Sequence, residues 1–411
     1  MKSLLALIIS IGCATAVCAR TIVVGKDQVI TSLQKAVDMA TAGDTILLHK
    51  GTYKEGNIVI KKSIRLIGVN NPVLDGEQKF EILTLSGNGI LVKGITFQNA
   101  GHSGVNDYAS ISVIDSKNVA IENNTIINSF FAIHFANSTQ NIIRDNVIKG
   151  TPKTEQTSGN GIHLWKCSYT VVQGNDVQGH RDGIYFEFVT HSIIQENNSH
   201  GNIRYGLHFM FSNNDAYLEN TFRNNGSGVA VMYSHHVLMQ RNRFEDNWGP
   251  NAYGLLLKEI SDASILQNHF TQNTAGIVME STNRIAVAQN QFENNGWALR
   301  IQASCDASDI HHNNFFGNTF DVATNGTMML NRFYNNYWDK YEGYDLNRDI
   351  TGDVPYHPVS MYSMVIEQNP NALILLRSFM VSLLDKAEKA IPSLTPENLV
   401  DEQPIMKPMK L

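Results

Sequence analysis

The sequence predicts an all-β fold: a right-handed single-stranded parallel β-helix of about 22-residue rungs, with an N-terminal capping helix and a helical and extended C-terminal tail. Three observations carry this reading. Asn-x-(Ile/Val/Phe) recurs at Asn124, Asn146, Asn175, Asn220, Asn242, Asn268, Asn290 and Asn313, mostly 22 or 23 residues apart, and Asn197 and Asn336 keep the Asn alone. A small residue (Ala132, Gly161, Gly183, Gly206, Gly228, Gly254, Gly276, Ala298) opens an alternating run, and the step to the next Asn is 14 residues seven times, then 15. The step from Asn to the next small residue is usually 8 but stretches to 9, 12 and 15, so extra length is confined to one corner. Strict alternation in short runs, with no helical period, describes strands, and a fixed short period describes a solenoid.

Composition agrees. Of 411 residues only 17% are charged while 43% are hydrophobic, and 43 are Asn. Asn is a mediocre helix former that suits turns. A net charge of −6 argues against non-specific nucleic-acid binding.

The elements follow in order. Residues 1–19 read as a secretory signal: Lys2, an apolar run from Leu4 to Ile11, then small residues to Ala19. The run is far below the ~20 residues a membrane span needs. Cys13 and Cys18 leave with it, and Cys167 and Cys305 alone make no disulfide framework. Residues 31–42 form a short amphipathic helix that closes the solenoid before a strand at 45–48. The rungs, with that cap, occupy 20–338. Asn stacks rung on rung at a turn where it tolerates left-handed backbone, and Phe222, Phe244, Phe270, Phe292 and Phe315 stack inside. Residues 339–411 supply a Tyr/Asp/Pro-rich closing segment, an apolar helix over 372–390 capped by Asn371, and a Pro-rich tail. Asp345–Asp353 resembles a calcium loop, but Ile350 stands where such loops need Gly, which favours a hydrogen-bonded turn.

With Ile162 and Leu164 in the core, alternate residues face out. Rungs ~4.8 Å apart, and positions roughly 6.6 Å apart along a strand, gather His134, His163, Trp165, Tyr185, Glu187, His208, Met210 and Met232 into one patch. The enlarged corners near 100–108, 151–158 and 247–252 enter the same strand. Three readings stay open: a plain sheet surface; a metal site, since imidazole and thioether suit copper and Met favours its reduced ion; and a carbohydrate groove. In the groove reading His180 is a base, Arg181 a carboxylate-binding cation and Asp182 a positioning acid, beside Tyr185 and Glu187.

Four segments, residues 181–188 (RDGIYFEF), 204–213 (RYGLHFMFSN), 253–257 (YGLLL) and 335–359 (NNYWDKYEGYDLNRDITGDVPYHPV), resemble the NosD family of exported β-helix proteins. The resemblance runs from about residue 20 to the end. It departs where the family pattern has Asp-Gly-Asp-Gly and this chain has Asn347-Arg348-Asp349-Ile350. The resemblance implies a periplasmic, non-catalytic assembly factor that works with the membrane subunit of an ABC transporter and a copper chaperone to load copper into nitrous oxide reductase. By spacing, and not through the resemblance, His134, His163, His208, Met210 and Met232 are the candidate copper-handling residues, contacted transiently, and Trp165, Arg181, Asp182, Tyr185 and Glu187 a partner or substrate surface. The C-terminal helix and tail are the first candidate for transporter docking. The alternative is a secreted polysaccharide-binding protein, lyase or epimerase of the β-helix type.

Overall fold

The computed structural model describes residues 19–102, 108–152, 154–326, 330–376, 378–390 and 399–411. Residues 1–18, nearly all of the expected signal, lie outside them, as do 103–107 of the first enlarged corner. The chain coils into a parallel β-solenoid from Thr21–Val24 to Tyr337–Trp338. Among the described residues the turns contribute strands to three parallel sheets, of fourteen, twelve and thirteen strands. The fold class is as predicted.

Helix α1 (Leu33–Met39) closes the N-terminal end. Ser32 caps it by accepting from the Lys35 N–H, while Glu55 accepts from the Leu33 and Gln34 N–H groups. These bonds satisfy donors that a helix start leaves orphaned. Leu33, Ala36 and Val37 turn into the core. The core itself is stacked: Phe222, Phe244, Phe270, Phe292 and Phe315 pile up at 4.6–5.6 Å between ring centroids, and Trp338 ends the file 4.0 Å from Phe315.

The Asn ladder corrects the expectation in one respect. The left-handed residue is the one before each Asn: Asn123, Asp145, Gly174, Glu196, Glu219, Arg241, Gln267, Gln289, His312 and Asn335. That residue turns the chain, and the Asn after it points into the solenoid. There each Asn donates its backbone N–H and its amide to the Oδ1 of the next, as in Asn220 to Asn242 at 3.0 Å for both bonds. The second amide hydrogen goes to a strand carbonyl, Ile194 in this case. Hence a fully buried amide is fully paired, as burial demands. A second ladder, unforeseen from the sequence, runs through Asn202, Asn225, Asn247, Asn273, Asn295 and Asn318.

A third, weaker ladder uses hydroxyls. Ser116, Ser138, Ser212 and Ser234 each donate to the carbonyl two residues back, and Cys167 repeats the pattern from Sγ to Trp165 O at 3.4 Å. Burial pushes the Cys167 thiol up to about 11, so it packs as a serine analogue and not as a nucleophile. Cys167→Ser should therefore change stability by no more than about 1 kcal/mol. Thermal unfolding of the two proteins checks this; a larger loss would mean the sulfur's volume matters more than its place in the ladder.

The C-terminal end departs further from expectation. The helix expected over 372–390 is broken: a 3₁₀ segment covers Pro370–Leu375, and α3 spans Phe379–Ala390. Asn371 lies inside the 3₁₀ segment and caps nothing. Leu376 between them is extended (ψ 132°), which ends any helix. A further helix, α2 (Met361–Gln368), capped by Ser360, precedes them. Tyr362 and Ile366 of α2 and Val381 of α3 pack on Phe320, and Arg300 makes a bidentate pair with Glu367 at 2.9 and 3.0 Å. The helices thus sit on the last rungs of the twelve-stranded sheet. Asp345 and Asp349 accept from backbone N–H groups of Arg348, Ile350 and Thr351, so this loop is the hydrogen-bonded turn.

Candidate functional site

The outward face of the twelve-stranded sheet carries the patch. Register places Ser112, His134, His163, Tyr185, His208, Ala230, Leu256 and Val278 on consecutive rungs of one column. Beside it run Ala136, Trp165, Glu187, Met210, Met232 and Lys258. The alternation read from the sequence therefore sets this arrangement. A third column was missed. At each Gly marker the ladder skips a residue, so Asp182, Tyr205, Ser227, Ala275 and Trp297 align one step earlier. Tyr205, Ala275 and Trp297 pack with the outward Ala230, Leu256 and Val278, which puts this column on the same face.

The patch then divides. At its lower end His134 and His163 lie with ring centroids 4.9 Å apart, flanked by Phe131 and, edge-on at 4.8 Å, Tyr185. Both ring nitrogens of His163 are buried without a hydrogen-bond partner. Burial first, then His134 and Arg181, push its pKa down to about 3, so the ring is a neutral donor at any physiological pH.

One rung on, Asp182 is fully buried and held by Arg204 through two 3.0 Å bonds, with Arg181 3.5 Å away. Arg204 also reaches Glu155 of the enlarged corner at 3.3 Å, stacks over Tyr205, and donates to Nδ1 of His208 at 3.1 Å. Because guanidinium only donates, Nδ1 of His208 is the acceptor in this bond. His208 is thereby tied into an ion-pair network through Nδ1, while its Nε2 is buried without a hydrogen-bond partner.

Farther along, Met210 Sδ lies 3.9 Å from the Tyr185 hydroxyl, and Met232 packs on the apolar cluster of Ala230, Leu256, Ala275 and Val278. Burial, then Glu187 and Asp182, raise the Tyr185 hydroxyl to about 12, so it remains a phenol. Trp165 carries Lys166 over its ring at 4.2 Å. His180, read from sequence as a base, is fully buried, with its pKa down at about 4 through burial, and its backbone N–H donates to Asn202, the first amide of the second ladder. It faces the core and cannot meet a ligand on the outer sheet.

Donor chemistry tests the copper reading. Among the described residues no group of three or more His, Cys, Asp or Glu side chains could hold a metal ion. His134 and His163 fit a soft or borderline ion as neutral imidazoles, with Met210 two rungs above His163. His208 does not through Nδ1, since Arg204 donates to that nitrogen. Met232 is set apart with the apolar cluster.

A family model described as "Periplasmic copper-binding protein (NosD)" matches residues 147–348. A Pseudomonas aeruginosa protein named "Probable ABC transporter binding protein NosD" is 28% identical over 379 residues, covering 88% of this chain and 87% of that one. The chain is similar to the NosD family over these residues. A Stutzerimonas stutzeri NosD of the same name is 31% identical over 72 residues, 18% of this chain and 16% of that one. Among solved structures, the Streptococcus pneumoniae surface protein and adhesin PfbA has a TM-score of 0.58 at 13% identity, covering 71% of this chain and 94% of its own. The A-module of the Azotobacter vinelandii mannuronan C-5 epimerase AlgE6 scores 0.57 at 15% identity, covering 74% and 93%. An adhesin and an epimerase share this coil, so the likeness concerns the fold alone. No described helix is long and apolar enough to cross a membrane.

Proposed function

We propose that this chain is a periplasmic, non-catalytic accessory protein of an ABC transporter complex that handles copper as cargo for assembly of nitrous oxide reductase. Copper would come from a copper chaperone. The observation that carries the reading is His163, whose neutral ring has two buried, unpartnered nitrogens beside His134. Imidazole pairs of this kind take up cuprous ion, and Met210 adds a thioether nearby. Weak, exchangeable holding suits a cargo, which must leave again.

Kinship supports the transporter link, since the P. aeruginosa relative is named for it. On α3, Phe379, Met380 and Leu383 remain exposed, and we assign that surface to the transporter's membrane subunit. The tail beyond residue 399 is instead consumed in closing the solenoid. The carbohydrate-enzyme alternative loses its base in His180, and Asp182 is occupied by Arg204 and Arg181; Trp165, Arg181, Tyr185 and Glu187 then serve as a client-facing surface.

Anaerobic titration with Cu(I) against a chromogenic chelator tests the site. A His134→Ala, His163→Ala double variant should bind at least tenfold more weakly, and a His208→Ala variant near the wild type. Equal binding by the double variant would remove the patch. Turnover of alginate or pectin, abolished by Arg181→Ala, would replace the whole reading with the enzymatic one.

A further inference from the structure

Two His-His dipeptides stand outside the outward sheet, His235-His236 and His311-His312. In both, the second histidine has left-handed backbone, φ 55° at His236 and 54° at His312. Successive strand side chains normally point to opposite faces. A left-handed residue after the strand swings its side chain back towards the first. The Nδ1 atoms consequently meet in a hydrogen bond, one Nδ1–H donating to the other Nδ1, at 2.7 Å in one pair and 2.8 Å in the other, with ring planes 85° and 87° apart.

The two pairs differ in bracing. His235 and His236 are exposed, whereas His311 and His312 are half-buried. Tyr334 from the next rung lies flat on His311 (4.8 Å, 8°) and edge-on to His312. Asp309, on the same strand face as His311, is neutralised by Arg332 through bonds of 2.7 and 2.8 Å. This pair is thus preorganised, and its immediate neighbours carry no net charge.

We propose that His311 and His312 form a two-nitrogen chelate for a cupric ion, with water in the remaining positions; the ion replaces the proton shared between the two Nδ1 atoms, and the donor ring then carries its proton on Nε2. The spacing of the two nitrogens suits the ion. Nitrogens 2.8 Å apart, each about 2.0 Å from a metal, subtend roughly 90° at it, which is the angle between neighbouring ligands in tetragonal coordination. A tetrahedral ion would need the nitrogens about 3.3 Å apart and a linear cuprous ion about 4 Å. Imidazole affinity follows an order in which cupric ion exceeds nickel and zinc. The site is separate from the His134–His163 patch in position and in the oxidation state it favours, and stands whether or not that patch binds.

Electron paramagnetic resonance on the untagged full chain with one equivalent of Cu(II) at neutral pH tests it. His312→Asn is the informative variant, because Asn tolerates left-handed backbone and leaves the turn intact. The wild type should show coupling to two nitrogens, and His312→Asn should lose that pattern with at least a tenfold fall in Cu(II) affinity while circular dichroism and Cu(I) binding stay unchanged. His311→Ala should match it. An unchanged spectrum in His312→Asn would overturn the assignment, as would loss of the signal in a His235→Ala, His236→Asn or a His134→Ala, His163→Ala variant instead. Ni(II) binding more tightly than Cu(II) through the same pair would overturn the choice of metal.

Discussion

Replacing Asp401 by Ala should cost about 4 kcal/mol and free the C-terminal tail, because this one carboxylate terminates the main Asn ladder. Each Asn in that ladder needs an acceptor on the next rung, and Asn336 is the last. Its backbone N–H and its amide both donate to Oδ2 of Asp401, at 3.1 and 3.0 Å, and the Trp338 indole N–H adds a third bond at 3.0 Å. The carboxylate is fully buried and Trp338 nearly so. Hydrogen bonds to a charged group contribute about 1.5–3 kcal/mol each, and a buried donor left unpaired bears its full desolvation cost. The residues around Asp401 extend the coil by a partial rung: Asp401 bridges Phe333 and Tyr356, Ile405 bridges Tyr337, and Met409 exchanges two bonds with Asn314. Solenoid stability is summed between neighbouring rungs, so the damage should start at the C-terminal end. Limited proteolysis should cut the tail of Asp401→Ala first, with a lowered Tm. Asp401→Asn supplies the same acceptor oxygen as the other rungs and should recover most of the loss. Equal loss in both variants would mean that the charge, and not the ladder geometry, secures the end.

How much of this could be read in the sequence follows from what repeats. A rung is copied many times, so the spacing of Asn124 to Asn313 fixes the coil, and the alternation after each Gly marker fixes which residues face out. His134, His163, Tyr185 and His208 therefore stand in the column that alternation requires. The second ladder escaped notice because Asn202, Asn225 and Asn247 precede the markers by only a few residues and lack the apolar partner that flags the first. The skipped residue at each Gly was equally hidden, since a break in alternation looks the same as its start; that is why Tyr205 and Trp297 were not placed beside the patch. Single events are the least legible. Nothing in the composition around residue 401 distinguishes an aspartate that ends a ladder from one on a turn. Similarly, Arg204 is one charged residue among 32 cationic ones until its reach to Asp182, His208 and Glu155 is seen. That reach decides which histidines can offer a lone pair, so the chemistry of the patch is set by a long-range contact that periodicity cannot encode.

Asp215→Asn should stabilise the protein at neutral and alkaline pH and leave it almost unchanged near pH 4. Asp215 lies on the column in which Asn141, Ser192, Ser308 and Asn331 each accept a backbone N–H from the preceding rung, and it accepts that of Ser192 at 2.7 Å. Its other oxygen is buried without a partner, as is the hydroxyl of Tyr217. Burial raises its pKa from 3.8 to about 8, against the smaller opposing effect of the Ser192 bond. The folded form therefore holds the proton more tightly than the unfolded chain does. Stability is complete below about pH 4, is lost as pH rises towards 8, and is level above that. At about 1.4 kcal/mol for each tenfold change in proton affinity, the loss approaches a ceiling of roughly 6 kcal/mol. An amide has the shape of the carboxyl group, keeps the Ser192 bond and cannot ionise. Asn already serves that column at positions 141 and 331, so the substitution meets no new backbone demand. Urea unfolding at several pH values should show the wild type falling away from the variant between pH 4 and 8, by about 2 kcal/mol or more at the upper end. Parallel profiles for the two proteins would show that Asp215 is already ionised in the folded chain and satisfied by water at the turn.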